Sequence, residues 1–262
     1  MKRLITFLVL AYCAQVDAQS SPTFAQVSLS TDINVSEPLP SRVVLTAWSK
    51  TPQKHAQAVA DNTNVTVLDR DEQSITVALS NNNAYQGTFL PAQLAPSFVI
   101  DFDEKATQPF ISGFTPSKDE DIKAQIVEYV SGYITEPSYV HGFNFASTVA
   151  QQRSGDCTEY AVLTTALSRS EGIPAKLILG MVVVQYPHGL YAYGHAWSEM
   201  WVEGQWHTAD AALYNDGAIA TFYLPSSELQ NESMAYSRTL MESMASMPSK
   251  ITAFQRGDDY QE

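Results

Sequence analysis

The sequence predicts an α+β protein. A β-rich amino-terminal half precedes a half in which a helix carrying a cysteine packs on an antiparallel sheet. Three observations carry that expectation. Short alternating runs separated by turn-rich stretches fill the region up to about residue 105. Ile122, Ile126, Tyr129, Val130 and Tyr133 then recur at helical spacing. Later, two alternating segments flank Glu203-Gly204, which reads as a tight hairpin turn.

The chain has 262 residues, of which 45% are hydrophobic and 16% charged. That is a globular composition, long enough for one large domain or two modest ones. Against 15 Lys+Arg stand 28 Asp+Glu, a formal charge of −13, and no basic run offsets it locally. Such a chain has no electrostatic footprint for nucleic acid and is repelled by anionic lipid.

Residues 1–18 read as an address. Lys2 and Arg3 are basic, Leu4 to Ala14 is apolar, and Val16-Asp17-Ala18 offers small residues for cleavage. The apolar run is well short of the roughly 20 residues a membrane span needs. The expectation is a secretory signal cut after Ala18, a periplasmic or secreted protein and no stable membrane insertion. A lipid anchor on Cys13 fits less well, because the large Tyr12 precedes it. With Cys13 removed, Cys157 is alone in an oxidising compartment and has no internal disulfide partner.

Residues 19–112 are expected to form the β-rich domain, with strands at Arg42–Trp48, Val65–Leu68, Ser74–Leu79 and Ser97–Phe102. Nothing chemical converges there. His55, in a polar stretch, reads as surface, and the acidic runs Asp101–Glu104 and Asp119–Asp121 read as solvated. Residues 113–262 form the second expected domain. Ser117 and Glu120 match a capping box ahead of an amphipathic helix of about four turns. A short helix is expected at Ser147–Arg153, ending at Gly155. Met234, Met241 and Met244 repeat at helical spacing and read as a core-facing stripe, stopped by Pro248.

The chemistry concentrates around Cys157. Cys157, Tyr160, Ala161, Thr164 and Leu167 share one helical face, Gly155 and Asp156 supply the preceding turn, and Gly172 and Pro174 end the helix. Cys157 thus sits in a first helical turn, where unpaired backbone N–H groups favour a thiolate and can receive an oxyanion. A thiolate needs a base. If Glu203 and Gly204 are the two loop residues, Val202 pairs with Gln205, and Asp210 falls opposite Trp197. His195 shares the face of Trp197, so His195 and Asp210 become diagonal neighbours. The carboxylate can then orient the imidazole and stabilise its charged form.

Gly155-Asp-Cys157-Thr-Glu-Tyr-Ala with Gly172-Ile-Pro-Ala, then His195-Ala-Trp-Ser-Glu and Trp206-His-Thr-Ala-Asp210, resembles the core of the transglutaminase-like superfamily. Its members are papain-fold thiol enzymes with Cys on a helix, then His and Asp on successive strands. The resemblance covers about residues 117–225, and the front half is loosely similar to the amino-terminal region of bacterial secreted members. It implies Cys157 as nucleophile, His195 as general base and acid, and Asp210 as the orienting residue. It also implies acyl transfer from amide bonds of peptides or proteins through a Cys thioester, resolved by water or by an amine.

Other residues rank lower. His188 reads as a surface loop, His207 faces away from His195, and His141 reads as structural or exposed. Glu159 reads as a structural contact beside the site, and Trp197 and Trp201 as core or cleft wall. Gln151 falls within a helix. One cysteine and scattered histidines do not make a zinc site, and no phosphate-binding loop exists, so no cofactor is expected. A non-catalytic binding or assembly module on the same scaffold is the alternative function.

Overall fold

The computed structural model describes residues 26–31, 33, 37–138, 144–229 and 236–257. The expected leader, His141 and Met234 lie outside the described residues. The amino-terminal part contains β1 (Ser28–Leu29), β2 (Arg42–Trp48), α1 (Pro52–Ala58), β3 (Val65–Arg70), β4 (Ser74–Ser80), β5 (Ala84–Gln86) and α2 (Gln108–Gly113). Then come α3 (Ile122–Tyr133), β6 (Glu136–Pro137), α4 (Ala146–Gln152), β7 (Ser154–Gly155) and α5 (Cys157–Ser170). The chain continues through β8 (Ala175–Tyr186), β9 (Gly189–Val202), β10 (Gln205–Ala209), β11 (Ala220–Leu229), α6 (Tyr236–Ser246) and β12 (Lys250–Arg256).

The class is α+β, as expected. One five-stranded sheet runs β1-β12-β2-β4-β3 and the other runs β11-β8-β9-β10-β5. Each draws strands from both sides of residue 112. The last strand, β12, pairs with β2, and β5 pairs with β10.

Alternation divides the second sheet into two faces. Leu177, Leu179, Ala196 and Met200 point to the face covered by α5 and α3, where they pack with Leu163, Leu167, Ile126 and Val130. Further along the same face, Met181, Val183, Phe222 and Leu224 meet Val43, Leu45, Ile75 and Val77 of the first sheet. The opposite face carries His195, Trp197, Glu199 and Trp201. Gly180 of β8 lies beneath Trp197 on that face. A Cβ there would stand 2.7 Å from Trp197 Cη2 and 2.4 Å from the Leu224 carbonyl oxygen.

Several expectations change. Ser97–Phe102 is a turn, not a strand: the Ser97 N–H donates to the Ile100 carbonyl, and Asp101 accepts from the N–H and hydroxyl of Ser147 at 2.8 and 2.5 Å. Asp101 therefore anchors the start of α4 and is not free surface. α3 begins later than the Ser117 cap implies. Asp121 is its cap, accepting from the Lys123 N–H, while Ser117 is held by Gln125. His55 is fully buried. Its Nε2 lies 2.9 Å from the Ser246 carbonyl oxygen and its Nδ1 3.2 Å from the Ser226 hydroxyl, because α1 packs on β11. Finally, α6 buries Ser243 and Ser246 and shows its methionines. Ser243 bonds Ser227 and Ser246, whereas Met241 and Met244 are 69% and 45% exposed.

Candidate active site

Asp156 caps α5. Its side chain accepts from the Thr158 N–H at 2.9 Å, and Glu159 reaches back to the Asp156 N–H at 3.0 Å. This reciprocal capping box fixes the backbone on both sides of Cys157. The Asp-x-x-Glu spacing was present in the sequence as a signal for it. Gly155 is required by space: a Cβ would lie 2.3 Å from Glu159 Cβ. Cys157 is a free, half-buried thiol.

Glu159 is fully buried and also accepts from the N–H and side-chain amide of Asn144 at 3.2 and 3.3 Å. Burial, reinforced by the Asp156 charge, pushes its carboxyl up to about 7 against the pull of these donors. A carboxyl raised in the folded state adds stability below its unfolded value, and that stability is lost as pH rises through the folded value. Unfolding free energy of Glu159→Gln minus that of the native protein should therefore rise by on the order of 3 kcal/mol from about pH 4.5 to about pH 8. Denaturant melts across that window measure it, and a flat difference would contradict the burial argument.

The hairpin places the other two residues. β10 pairs with β9 as Gln205–Val202, Trp206–Trp201, His207–Met200, Thr208–Glu199 and Ala209–Ser198, the register read from the two-residue turn. Glu203 and Gly204 both have positive φ, 54° and 85°, as that turn demands. One step beyond the last pair, Asp210 Oδ2 accepts from His195 Nε2–H at 2.7 Å. Cys157 is the other side chain that acts on the His195 ring.

Cys157 and His195 are rooted on different sides of the sheet. α5 packs on the face of Ala196 and Met200 and bonds Ser198 through Thr165, whereas His195 alternates to the other face. They can meet because β9 is uncovered along one edge at this point. β10 stops pairing at Ser198, and Gln26 bridges Tyr193, so among the described residues Gly194–Trp197 pairs only with β8.

Burial alone disfavours a charged His195, but the Asp210 charge and hydrogen bond, followed by Cys157, outweigh it and raise the imidazole to about 10. Trp197 stacks on the imidazole, with centroids 6.3 Å apart and planes at 18°, and Tyr193 meets it edge-on at 5.9 Å. Trp197 is thus a wall of the histidine's site rather than remote core. Trp201 is half-buried and donates to the Gly87 carbonyl. Tyr223 carries no signal in the sequence, because its strand lies two places from β9. Its hydroxyl nonetheless donates to Asp210 Oδ2 at 2.9 Å. Asp210 Oδ1 accepts from the N–H groups of Ala212 and Leu213 at 3.1 and 3.2 Å.

The remaining histidines stay apart. His188 is exposed in the turn between β8 and β9, stacked on Tyr186, and His207 points to the opposite face from His195. Gln151 is exposed on α4 and bonds Ser147. Among the described residues no group of three His, Cys, Asp or Glu side chains is arranged to hold a metal, and no helix is long and apolar enough to cross a membrane.

Comparison with known proteins follows this geometry. Residues 105–211 match the transglutaminase-like superfamily core. No curated protein matches the chain significantly. Among solved structures, a candidate cysteine protease from Cytophaga hutchinsonii is 17% identical, with 70% of this chain and 77% of that one aligned at a TM-score of 0.43. The periplasmic domain of TgpA from Pseudomonas aeruginosa, solved bound to ethylmercury, is 16% identical over 68% of each chain, at a TM-score of 0.35. The family segment spans the helix of Cys157 and the hairpin of His195 and Asp210, and over residues 105–211 the chain is similar to the transglutaminase-like superfamily core.

Proposed function

We propose that the protein is an exported cysteine-dependent acyl-transfer enzyme acting on amide bonds of peptides or proteins. The observation that carries this is the 2.7 Å bond from His195 to Asp210, on an imidazole that the Cys157 side chain also acts on. Cys157 is the nucleophile, as a thiolate favoured by the first turn of α5 and by the adjacent imidazolium. Its sulfur attacks the amide carbonyl carbon. His195 gives its proton to the departing amine, and the C–N bond breaks to leave a thioester. His195, again a base, then deprotonates the water or amine that resolves the thioester. Asp210 orients the ring. Export rests on the basic and apolar pattern of residues 1–18. No step needs a cofactor.

Alkylation by iodoacetamide tests the reading. His195→Ala should slow alkylation at neutral pH by about 100-fold. A folded protein whose thiol is inert, or indifferent to His195, would make the chain a binding or assembly module on this scaffold.

A further inference from the structure

Asp210 opens a connection with an unusual task. β10 and β11 are separated in the sheet by β9 and β8, so residues 210–219 must cross the face that bears His195. Two tyrosines from the far strands catch this crossing. Tyr186 of β8 donates to Asp216, and Tyr223 of β11 donates to Asp210. Tyr223 can reach because Gly180 leaves β8 bare beneath Trp197, whose ring lies between the imidazole and the phenol, 4.9 Å from the latter. Burial and the Asp210 charge keep the phenol protonated, so it remains a donor.

Both Tyr223 Oη and His195 Nε2 donate to the same oxygen, Oδ2, at 2.9 and 2.7 Å. Negative charge drawn toward one donor is less available to the other. We propose that Tyr223 is a positioning residue of the Cys157–His195–Asp210 site: its hydroxyl holds Asp210 under the imidazole and, by sharing Oδ2, limits how tightly His195 keeps its proton. This rests on the acyl-transfer reading, since a histidine that never released its proton could not serve a leaving amine. The groups facing His195 are Asp210 from the crossing connection, Cys157 from α5 and Tyr193 from its own strand, with Asp216 behind Tyr186 and Tyr193.

The test is the titration of the His195 ring, followed by nitrogen-15 NMR in the full chain. Tyr223→Phe should move the midpoint up by about one pH unit. Fluorotyrosine placed at 223, a stronger donor of the same shape, should move it down, and this variant decides the matter if Tyr223→Phe fails to fold. An unchanged or lowered midpoint in Tyr223→Phe, or a raised one with fluorotyrosine, would overturn the proposal. The readouts are separable. If Cys157 does not alkylate, the enzymatic reading fails, and the ring titration still decides whether Tyr223 tunes His195.

Discussion

Replacing Asp210 with alanine is expected to slow acylation of Cys157 by about three orders of magnitude. The reason lies in the balance that sets His195. Burial pushes its proton off, and only the Asp210 charge and hydrogen bond, with help from Cys157, reverse that push. Without the carboxylate the buried ring becomes neutral, and nothing pins Nε2 in its place. Asparagine should not rescue well. Each oxygen of Asp210 accepts from two donors, His195 and Tyr223 on one, Ala212 and Leu213 on the other. An amide NH2 must therefore face two donors whichever way it turns. The burst of 4-nitrophenol from 4-nitrophenyl acetate measures the effect. A burst that keeps its native rate in Asp210→Ala would show that acylation does not depend on this residue.

Gly180→Ala should lower unfolding free energy by about 3 kcal/mol and slow Cys157 alkylation with it. The added methyl group would meet the Leu224 carbonyl oxygen at 2.4 Å, Trp197 Cη2 at 2.7 Å and Pro225 Cα at 3.0 Å. Two of these are backbone atoms of β11 and cannot swing aside. Relief comes only by parting β8 from β11 or by tilting Trp197, and Trp197 supports one face of the imidazole. Stability and reactivity are thus expected to fall together, which denaturant melts and alkylation rates would report. A variant that melts like the native protein would mean that β11 yields more readily than its pairing suggests.

Much of the site was legible because its information is local. Asp156, Cys157 and the following turn lie within one stretch, and the hairpin is fixed by two residues whose positive φ dictates the register of everything beyond. What stayed hidden depends on long-range packing. Tyr223 joins the site from a strand two positions away, and its neighbours in sequence say nothing of Asp210. His55 sits among polar residues, yet α1 folds onto β11 and encloses it. The methionine spacing identified a helix correctly but not which side faces inward, since the Ser243 hydroxyl of α6 finds its partner, Ser227, on β11. The same limit applied to β5, a strand of three residues recruited as the edge partner of β10.

The closing strand has a consequence for how the molecule is made. β12 lies between β1 and β2, so the front sheet lacks a central member until nearly the whole chain has emerged. Nascent intermediates must hold that gap open, with the edge of β2 unsatisfied. Truncation that removes β12 should therefore yield insoluble material, rather than a smaller working unit.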